Sequence, residues 1–396
     1  MGRLDVAVAG CGPAGLAAAL LLHRDGHRVS LFERFDAPRP VGSGIMLQPT
    51  GLAVLRALGL DHAALAATAR VDRLFGRAAP SGRVVLDVRY RALGPRSGFG
   101  LGMHRAALFD ILHRAVATAG VAIETGRQVS ARDGGRLIFN DGAMTGPFDL
   151  IVDALGSGTP LAPAAGQSLA YGALWATLDW PEGSELRPDA LEQRYCRASV
   201  MAGVLPLGQS SASPGSQAAF FWSLRQDRRE AWRSAGLQAW KAEVRALWPA
   251  TEPLLAQIDH SDRLTFARYV HRTLASPAEP GLAHIGDAWH SASPQLGQGA
   301  NMALLDAFAL AKALRDTADL PAALEHYVAL RRLHVGLYQL MSAVFTPVYQ
   351  SDSVLLPFVR DRLVGPVSKL WPANVIQAAM VSGLVGSPLK RLGLTP

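Results

Sequence analysis

The chain has little cysteine, no long apolar run and no concentrated basic block, and each shortage excludes a class of protein. Two cysteines, Cys11 and Cys196, in 396 residues cannot form a disulfide framework. Two uncharged carboxy-terminal stretches, residues 335–351 and 372–389, are interrupted by polar residues, glycine and proline and make poor membrane spans. The arginines are spread along the chain, so nucleic acid is not the expected partner.

Targeting and metal signals are missing as well. The amino end lacks the charged start, apolar core and cleavage site of a signal peptide, which together with the few cysteines favours a reducing cytoplasm. No Cys-x-x-Cys, His-Glu-x-x-His or serine-centred nucleophile motif is present, so we expect neither a metal ion nor acyl chemistry. The net charge of +7 favours anionic small molecules. Peripheral contact with a membrane stays open.

A glycine-rich turn lies between a strand and a helix near the amino end. Residues 4–9 form a short apolar run typical of a buried parallel strand, residues 13–24 have helical spacing, and residues 29–33 predict the next strand. In this βαβ context a Gly-x-Gly-x-x-Gly pattern predicts dinucleotide binding, although it does not distinguish FAD from NAD. Its glycines permit a tight turn, approach of backbone amides to a pyrophosphate, and close packing of helix on strand. The candidate ligands are Gly10, Gly12, Pro13, Ala14 and Gly15.

A carboxylate ends the second strand of this unit. Glu33 is positioned to accept hydrogen bonds from a ribose diol, and an acid there argues against a ribose 2′-phosphate in the same site. The alternative is a solvated strand end. Arg34 follows and is either a further cofactor ligand or a solvent-facing residue.

A second glycine-rich run lies near residue 290. Asp287 follows a strand predicted over residues 282–285 and is a candidate ligand for the ribityl or ribose hydroxyls of an extended FAD. The next loop opens into a helix predicted over residues 300–314, whose free amides would stabilise negative charge on a reduced flavin. The alternative is an ordinary glycine-rich helix start. The candidate ligands in this loop are Gly297, Gly299, Ala300 and Asn301.

In these segments the chain resembles the class A FAD-dependent aromatic hydroxylases, the family of para-hydroxybenzoate hydroxylase, salicylate hydroxylase and kynurenine monooxygenase. The resemblance covers nearly the whole chain. It implies that Arg105 and Asp287 contact FAD, and that the loop at Pro294 walls the flavin near the reacting centre. It rests on the two glycine-rich runs and on two motifs between them, Gly42-Ser43-Gly44-Ile45-x-Leu47-Gln48-Pro49 and His104-Arg105-x-x-Leu108, of which Gly44 is a further cofactor candidate.

The resemblance implies an enzyme, a monooxygenase that acts on an aromatic or polyketide- or quinone-like small molecule. NADPH or NADH would bind transiently and reduce FAD, O₂ would form a flavin C4a-hydroperoxide, and one oxygen atom would pass to the substrate. The sequence has no second Gly-x-Gly-x-x-Gly between strand and helix, consistent with a nicotinamide that has no Rossmann domain of its own. Two alternatives stay open, a flavin-dependent reductase or dehydrogenase without oxygen insertion and a non-catalytic flavin-binding protein.

Two positions depart from the family pattern. Leu155 replaces an aspartate that the family uses toward FAD and nicotinamide, which puts reductant binding in question, with Asp153 as a partial substitute. Trp289 stands where the family commonly has alanine and is expected to narrow the substrate cavity.

Other candidates rest on position alone. Pro294 and His290 are the catalytic candidates, His290 as a proton relay, with a structural histidine as the alternative. Gln128 is a candidate for the adenosine side or a surface amide. Phe220 and Trp222 suit a substrate-binding floor over the flavin, or else plain core.

The predicted fold is α/β. A discontinuous Rossmann-like FAD-binding domain spans residues 1–75, 100–160 and 275–320, and a substrate domain with a mixed or antiparallel sheet spans residues 76–99 and 161–274. Residues 321–396 are expected to form a carboxy-terminal helical layer that caps the active site, mediates a homodimer or touches a membrane.

Overall fold

The computed structural model describes residues 2–37, 44–94, 98–163, 166–209 and 215–395, so Gly42 and Ser43 of the motif before Gly44 lie outside the described residues. In chain order the strands are β1 (Asp5–Ala9), β2 (Arg28–Phe32), β3 (Gly44–Leu47), β4 (Thr68–Val71), β5 (Arg73–Ala78), β6 (Val84–Arg89), β7 (Gly100–His104), β8 (Ala122–Glu124), β9 (Val129–Asp133), β10 (Arg136–Phe139), β11 (Leu150–Asp153), β12 (Gln167–Ser168), β13 (Tyr171–Asp179), β14 (Ala190–Cys196), β15 (Val200–Leu207), β16 (Gln217–Arg225), β17 (Thr265–Ala267), β18 (Val270–Thr273), β19 (Ala278–Glu279), β20 (Leu282–His284) and β21 (His290–Ser291). The helices are α1 (Pro13–Arg24), α2 (Pro49–Ala57), α3 (Asp61–Ala66), α4 (Arg105–Thr118), α5 (Arg229–Ala235), α6 (Leu237–Leu247), α7 (Glu252–Leu255), α8 (Gly299–Asp316), α9 (Leu320–Tyr349), α10 (Leu355–Val359), α11 (Gly365–Val367), α12 (Ala373–Val381) and α13 (Pro388–Leu392).

A largely parallel sheet carries the amino-terminal turn. Its strand order is β19-β20-β11-β1-β2-β8, with β19 antiparallel at one edge. The residues of β1 after Asp5 are buried, as expected for a parallel strand covered on both faces. Because β2 and β11 flank β1 on opposite sides, a crevice opens at its carboxyl end, after Ala9, where ligands of such sheets bind. The predicted fold class is confirmed.

A second, mainly antiparallel sheet has the order β17-β13-β16-β15-β14-β5-β6. The predicted start of this region at residue 76 falls inside β5, since the parallel pairing of β5 with β14 begins at Arg73. Helix α6 covers the outer face of the sheet, where Trp240 and Val244 are buried against it. Its inner face is turned toward the first domain.

A small sheet ordered β3-β7-β4 joins the two domains through close backbone approaches. A Cβ on Gly102 would lie 1.9 Å from the Pro206 carbonyl oxygen, and one on Gly44 would lie 2.7 Å from the Ala219 Cβ. Only glycine fits where two backbones come this close. These contacts hold the crevice of the parallel sheet against the inner face of the seven-stranded sheet.

The carboxy-terminal residues form the predicted helical layer. Helix α9 packs along α8, whereas α11, α12 and a π-helical turn (Arg360–Val364) pack on β6, and α13 returns to α2 and α9. Across the described residues, no helix is both long and apolar enough to cross a bilayer.

Candidate functional site

The amino-terminal turn is shaped for a group lying directly against its backbone. Gly10 has φ +106°, and a Cβ there would lie 2.6 Å from the Ala154 carbonyl oxygen. A Cβ on Gly15 would lie 1.9 Å from the Gly10 carbonyl oxygen, so this residue closes the helix onto the strand. A Cβ on Gly12 would meet no protein atom within 4 Å, and no side chain caps the start of α1. The turn therefore leaves open space at a positive helix start, as a pyrophosphate requires.

Glu33 is held next to this turn by the backbone. Its Oε2 accepts a hydrogen bond from the Cys11 amide at 3.0 Å, and its Oε1 accepts one from the Phe35 amide at 3.1 Å. Each carboxylate oxygen keeps a further lone pair for a ribose hydroxyl. Burial, together with the charge of Glu33, raises the pKa of the Cys11 thiol, so Cys11 stays a neutral filler.

Arg34 and Gln128 lie at the exposed edge beyond Glu33. The Arg34 guanidinium lies over the Phe35 ring, 4.7 Å from its centroid. Gln128 is exposed, and its neighbour Arg127 donates its amide to the Glu33 carbonyl oxygen at 2.7 Å. The structure thus brings both residues near the predicted adenosine end, and their cofactor contacts stay predictions.

The second glycine-rich run meets the first. Gly286 has φ +59°, and a Cβ there would lie 3.3 Å from the Ala14 Cβ, at the start of α1, and 3.1 Å from the Ala303 Cβ in α8. Asp287 follows in a short turn and is exposed although protein surrounds it closely, as expected for a group lining a deep cavity. Burial raises the pKa of its carboxyl, against the opposing charges of His290 and Arg105. The two glycine-rich runs therefore lie directly against each other.

Arg105 is the first residue of α4 and is exposed. His104 caps this helix, since its Nδ1 accepts a hydrogen bond from the Ala106 amide at 3.1 Å. Burial raises the pKa of both Asp287 and Tyr269, and the positive charge of Arg105 opposes that rise at each of them. The predicted cation is therefore close to the predicted acid.

The loop after Pro294 ends in an uncapped helix start. Pro294 is exposed, Gly297 adopts the left-handed conformation with φ +61°, and no side chain caps the first turn of α8. A Cβ on Gly299 would meet no atom within 4 Å. Together with the Gly12 turn, this open helix start fits an extended FAD, with the pyrophosphate at the start of α1 and the flavin ring at the start of α8.

Asn301 holds this loop to β3 rather than facing the cavity. Its side chain is fully buried, accepts a hydrogen bond from the Gln48 amide at 2.8 Å, and donates to the carbonyl oxygens of Met46 and Gly297 at 2.9 and 3.0 Å. A cofactor contact from Asn301 would therefore come from its backbone. Gly44, at the start of β3, packs against Ala219.

A buried network behind Asp287 was missed by sequence reasoning. Asp306 in α8 accepts hydrogen bonds from the Gly286 amide at 2.9 Å, from His290 Nε2 at 2.6 Å and from Arg331 Nε at 2.7 Å. Although burial opposes its ionisation, His290 and Arg331 lower the pKa of Asp306 to about 2. His334 is neutral, because burial and Arg331 lower its pKa to about 3. The sequence did offer a signal for Asp306, because it is a single acid within the apolar run of α8.

This network bears on two candidates. His290 is buried and bonded to Asp306, which matches the structural alternative, and its catalytic role stays a prediction. Trp289 is 2% exposed and packs against Tyr327, with ring centroids 5.7 Å apart. It therefore fills the core of the FAD-binding domain instead of narrowing a substrate cavity.

The acid proposed to substitute at Leu155 is not available to a ligand. Asp153 is fully buried and accepts hydrogen bonds from the Thr159 hydroxyl at 2.7 Å and the Leu155 amide at 3.0 Å, while His284 Nδ1 lies 2.7 Å away. Leu155 itself packs against a core cluster of the parallel sheet. Asp153 therefore braces the strand ends and does not replace the missing aspartate.

The positions of the side chains on β16 contradict the prediction that Phe220 and Trp222 form a substrate-binding floor. Phe220 and Trp222 lie on the outer face and pack edge-on against Trp240, with centroids 6.1 and 6.3 Å apart. Phe221 lies on the inner face, 4.7 Å from Trp175 between ring centroids. Side chains alternate along a strand, so the outward pair cannot reach the cofactor side.

The inner face forms an aromatic chamber, here Trp175, Phe221 and Tyr269. Trp175 Nε1 donates to the Tyr269 hydroxyl at 3.0 Å, and burial raises the pKa of Tyr269 to about 12. Gln295, in the loop after Pro294, donates to Gln350 Oε1 at 3.3 Å, and Gln350 Nε2 donates to the β13 carbonyl oxygen of Gly172 at 3.2 Å. The loop after Pro294 is therefore linked through Gln350 to β13, the strand that carries Trp175.

Comparison with known proteins agrees with this geometry. The model of the family described as FAD binding domain matches residues 3–135 and 185–337. Aurachin C monooxygenase/isomerase of Stigmatella aurantiaca is 27% identical and covers 92% of this chain and 94% of its own. A putative 2-heptyl-3-hydroxy-4(1H)-quinolone synthase of Rhodococcus erythropolis is 30% identical over 82% of this chain and 83% of its own. The structure of Klebsiella pneumoniae HpxO with FAD and uric acid has a TM-score of 0.80 at 20% identity, covering 97% of this chain and 98% of that one.

The family match spans both glycine-rich runs and most of the residues between them. It confirms the resemblance to the aromatic hydroxylases and the prediction of FAD as cofactor. The chain belongs to the FAD binding domain family and is an FAD-dependent monooxygenase.

Proposed function

We propose that this monooxygenase hydroxylates a bicyclic aromatic substrate of the alkylquinolone type, with NADPH or NADH as reductant and O₂ as oxygen source. The observation that carries the proposal is the aromatic chamber, whose rings offer an apolar wall of the right chemistry beside the flavin loop. The quinolone named for the Rhodococcus relative supports this substrate class.

The chain's own groups bind and orient the cofactor. The open amides at the start of α1 hold the pyrophosphate, and Glu33 and Asp287 accept hydrogen bonds from the sugar and ribityl hydroxyls. Bound FAD supplies electron transfer from nicotinamide to O₂, chemistry that protein side chains lack. The uncapped start of α8 stabilises negative charge on the reduced ring, with Arg105 adding a positive field on the Asp287 side.

Tyr269 positions the substrate. Its hydroxyl accepts the Trp175 Nε1 proton and keeps its own proton to donate, and with a pKa near 12 it stays protonated at neutral pH. It can therefore donate to a ring oxygen of the substrate. Phe221 and Trp175 exclude water from the ring that is oxidised.

A reducing cytoplasm is the proposed location. Cys11 and Cys196 are both free thiols. Cytoplasmic proteins keep thiols in this reduced state.

The test is substrate-stimulated oxidation of NADPH and NADH by the purified holoenzyme. We expect 2-heptyl-4-quinolone to stimulate oxidation and to yield a product heavier by one oxygen atom, labelled when ¹⁸O₂ is used. A monocyclic phenolic acid serves as the comparison substrate. Stimulation by the phenolic acid alone would overturn the substrate class, and a product without label from O₂ would overturn the oxygen source.

A further inference from the structure

Large apolar side chains are exposed mostly in one carboxy-terminal segment. Of the thirteen such side chains in the described part of the chain, ten lie between residues 340 and 376, and we call their surface the apolar rim. Trp371 is 81% exposed, and Val354, Leu355, Leu363 and Leu370 are each more than half exposed. Exposed apolar surface of this extent marks an interaction site.

The apolar rim is held firmly on the body of the protein. Arg360 is fully buried and donates to the carbonyl oxygens of Val348 at 3.2 Å and Arg197 at 3.0 Å. A Cβ on Gly365 would lie 2.9 Å from the Val84 carbonyl oxygen in β6. The exposed side chains are therefore displayed by a fixed scaffold with its own buried anchor.

A positively charged cavity opens beside the rim. It has a volume of about 790 Å³ and also contains the acids Asp87, Glu185 and Glu192. Arg73 and Arg89 both pair with Asp87, whereas Arg77 and Lys369 have no ion pair among the described residues. Six cations against three acids leave a net positive field. The cations of this cationic cavity are Arg73, Arg77, Arg89, Arg187, Arg194 and Lys369.

The cavity and the rim are continuous at Lys369. Lys369 lines the cavity, and the next two residues, Leu370 and Trp371, are among the most exposed apolar residues of the rim. We propose that the apolar rim and the cationic cavity together dock the enzyme on the surface of an anionic lipid bilayer. The apolar side chains enter the interfacial layer, and Arg77 and Lys369 receive lipid phosphates.

The charge distribution favours a bilayer over a second copy of the chain. In a two-fold dimer the same patch lies on both sides of the interface, so two patches of the same net positive charge would be buried together and repel. An exposed tryptophan between apolar and cationic groups suits the boundary between acyl chains and headgroups. No described helix can span a membrane, so the attachment is peripheral. This inference goes beyond the proposed function, because binding of the enzyme to a bilayer does not depend on which substrate it oxidises.

The test is co-sedimentation of the FAD-loaded enzyme with phosphatidylcholine vesicles, with and without phosphatidylglycerol. We expect binding to the anionic vesicles that weakens with salt. The double variant Leu370→Ser with Trp371→Ser should lose about tenfold or more in partition coefficient. The double variant Arg77→Gln with Lys369→Gln should lose about tenfold to thirtyfold and show less salt dependence.

Leu65→Ser with Arg263→Gln is the matched control, because both residues are exposed elsewhere on the surface. It should bind vesicles as the parent does, and all variants should keep their FAD. A parent enzyme that stays in the supernatant with anionic vesicles overturns the proposal. So does self-association in sedimentation velocity that Trp371→Ser abolishes while vesicle binding is unchanged. Neither result depends on the substrate, so failure here leaves the proposed function untouched.

Discussion

The two glycine-rich runs and the seven-stranded sheet build their parts of the site by different means. The runs act through backbone, since Gly10, Gly15 and Gly286 sit where a side chain would collide with a neighbouring segment or strain the turn. The sheet acts through side chains, and alternation along β16 decides that Phe221 and not Phe220 faces the cofactor side. Adding a side chain to a glycine should therefore destroy the cofactor site, whereas truncating a side chain on the inner face of the sheet should change the substrate site.

The largest effect on cofactor binding should come from filling the cofactor turn. A Cβ on Gly12 meets no protein atom within 4 Å, so Gly12→Val should fold while its side chain takes the space of the pyrophosphate. We expect FAD affinity to fall by at least about 100-fold, which is about 3 kcal/mol. The measurement is flavin absorbance per polypeptide after purification.

Gly146→Val is the control for this variant. Gly146 is exposed and a Cβ there also meets no atom within 4 Å, but it lies far along the chain from both glycine-rich runs. It should keep its flavin. A yellow Gly12→Val protein at parental occupancy would refute the assignment of the turn.

Adjacent residues of β16 should separate stability from substrate binding. Phe220→Ala empties the outer core beside Trp240 and should cost about 3–5 kcal/mol of unfolding free energy with little change in KM. Phe221→Ala removes the ring against Trp175 and should raise the substrate KM about tenfold. Urea unfolding and steady-state kinetics on both variants check this. An equal rise in KM for both would break the distinction between the two faces.

The same contrast explains what could be predicted from the sequence. The fold class, the turn after β1 and the Gly286-Asp287 turn follow local rules, because glycine spacing and strand context fix the backbone within a few residues. Phe220, Trp222 and Trp289 could not be placed, since the face each presents depends on strand register and on distant packing. The network around Asp306 was not predicted, because its partners His290 and Arg331 come from elements that are separate along the chain.

Asp287→Asn should have opposite effects on cofactor affinity and on stability of the FAD-free protein. Loss of a charged acceptor should weaken FAD binding by about 10–100-fold. Because the pKa of Asp287 is raised in the folded protein, the folded state keeps a proton that the unfolded chain has lost between the ordinary and the raised value. Stability should therefore fall as pH rises through that interval.

The variant should remove this fall, so FAD-free Asp287→Asn should melt slightly higher than the parent at neutral pH. The gain is small because solvent reaches the side chain. Thermal melting across pH and titration with FAD measure the two effects. A variant that melts lower than the parent at neutral pH, or binds FAD as tightly, would contradict the placement of this carboxyl.

The smallest effect should come from Tyr269→Phe. This variant removes a single oxygen atom from the aromatic chamber and so tests one hydrogen bond on the substrate side. The ring keeps its place beside Trp175, whereas the variant loses the hydroxyl that accepts a hydrogen bond from Trp175 Nε1 and that we propose donates to the substrate. One neutral hydrogen bond is worth about 0.5–1.5 kcal/mol, so kcat/KM should fall by about twofold to tenfold with FAD content unchanged. Steady-state kinetics with an alkylquinolone and with an analogue lacking the ring oxygen test this. We expect the variant to be slower only with the oxygenated substrate. An equal loss of kcat/KM with both substrates would mean that the hydroxyl has a purely structural role.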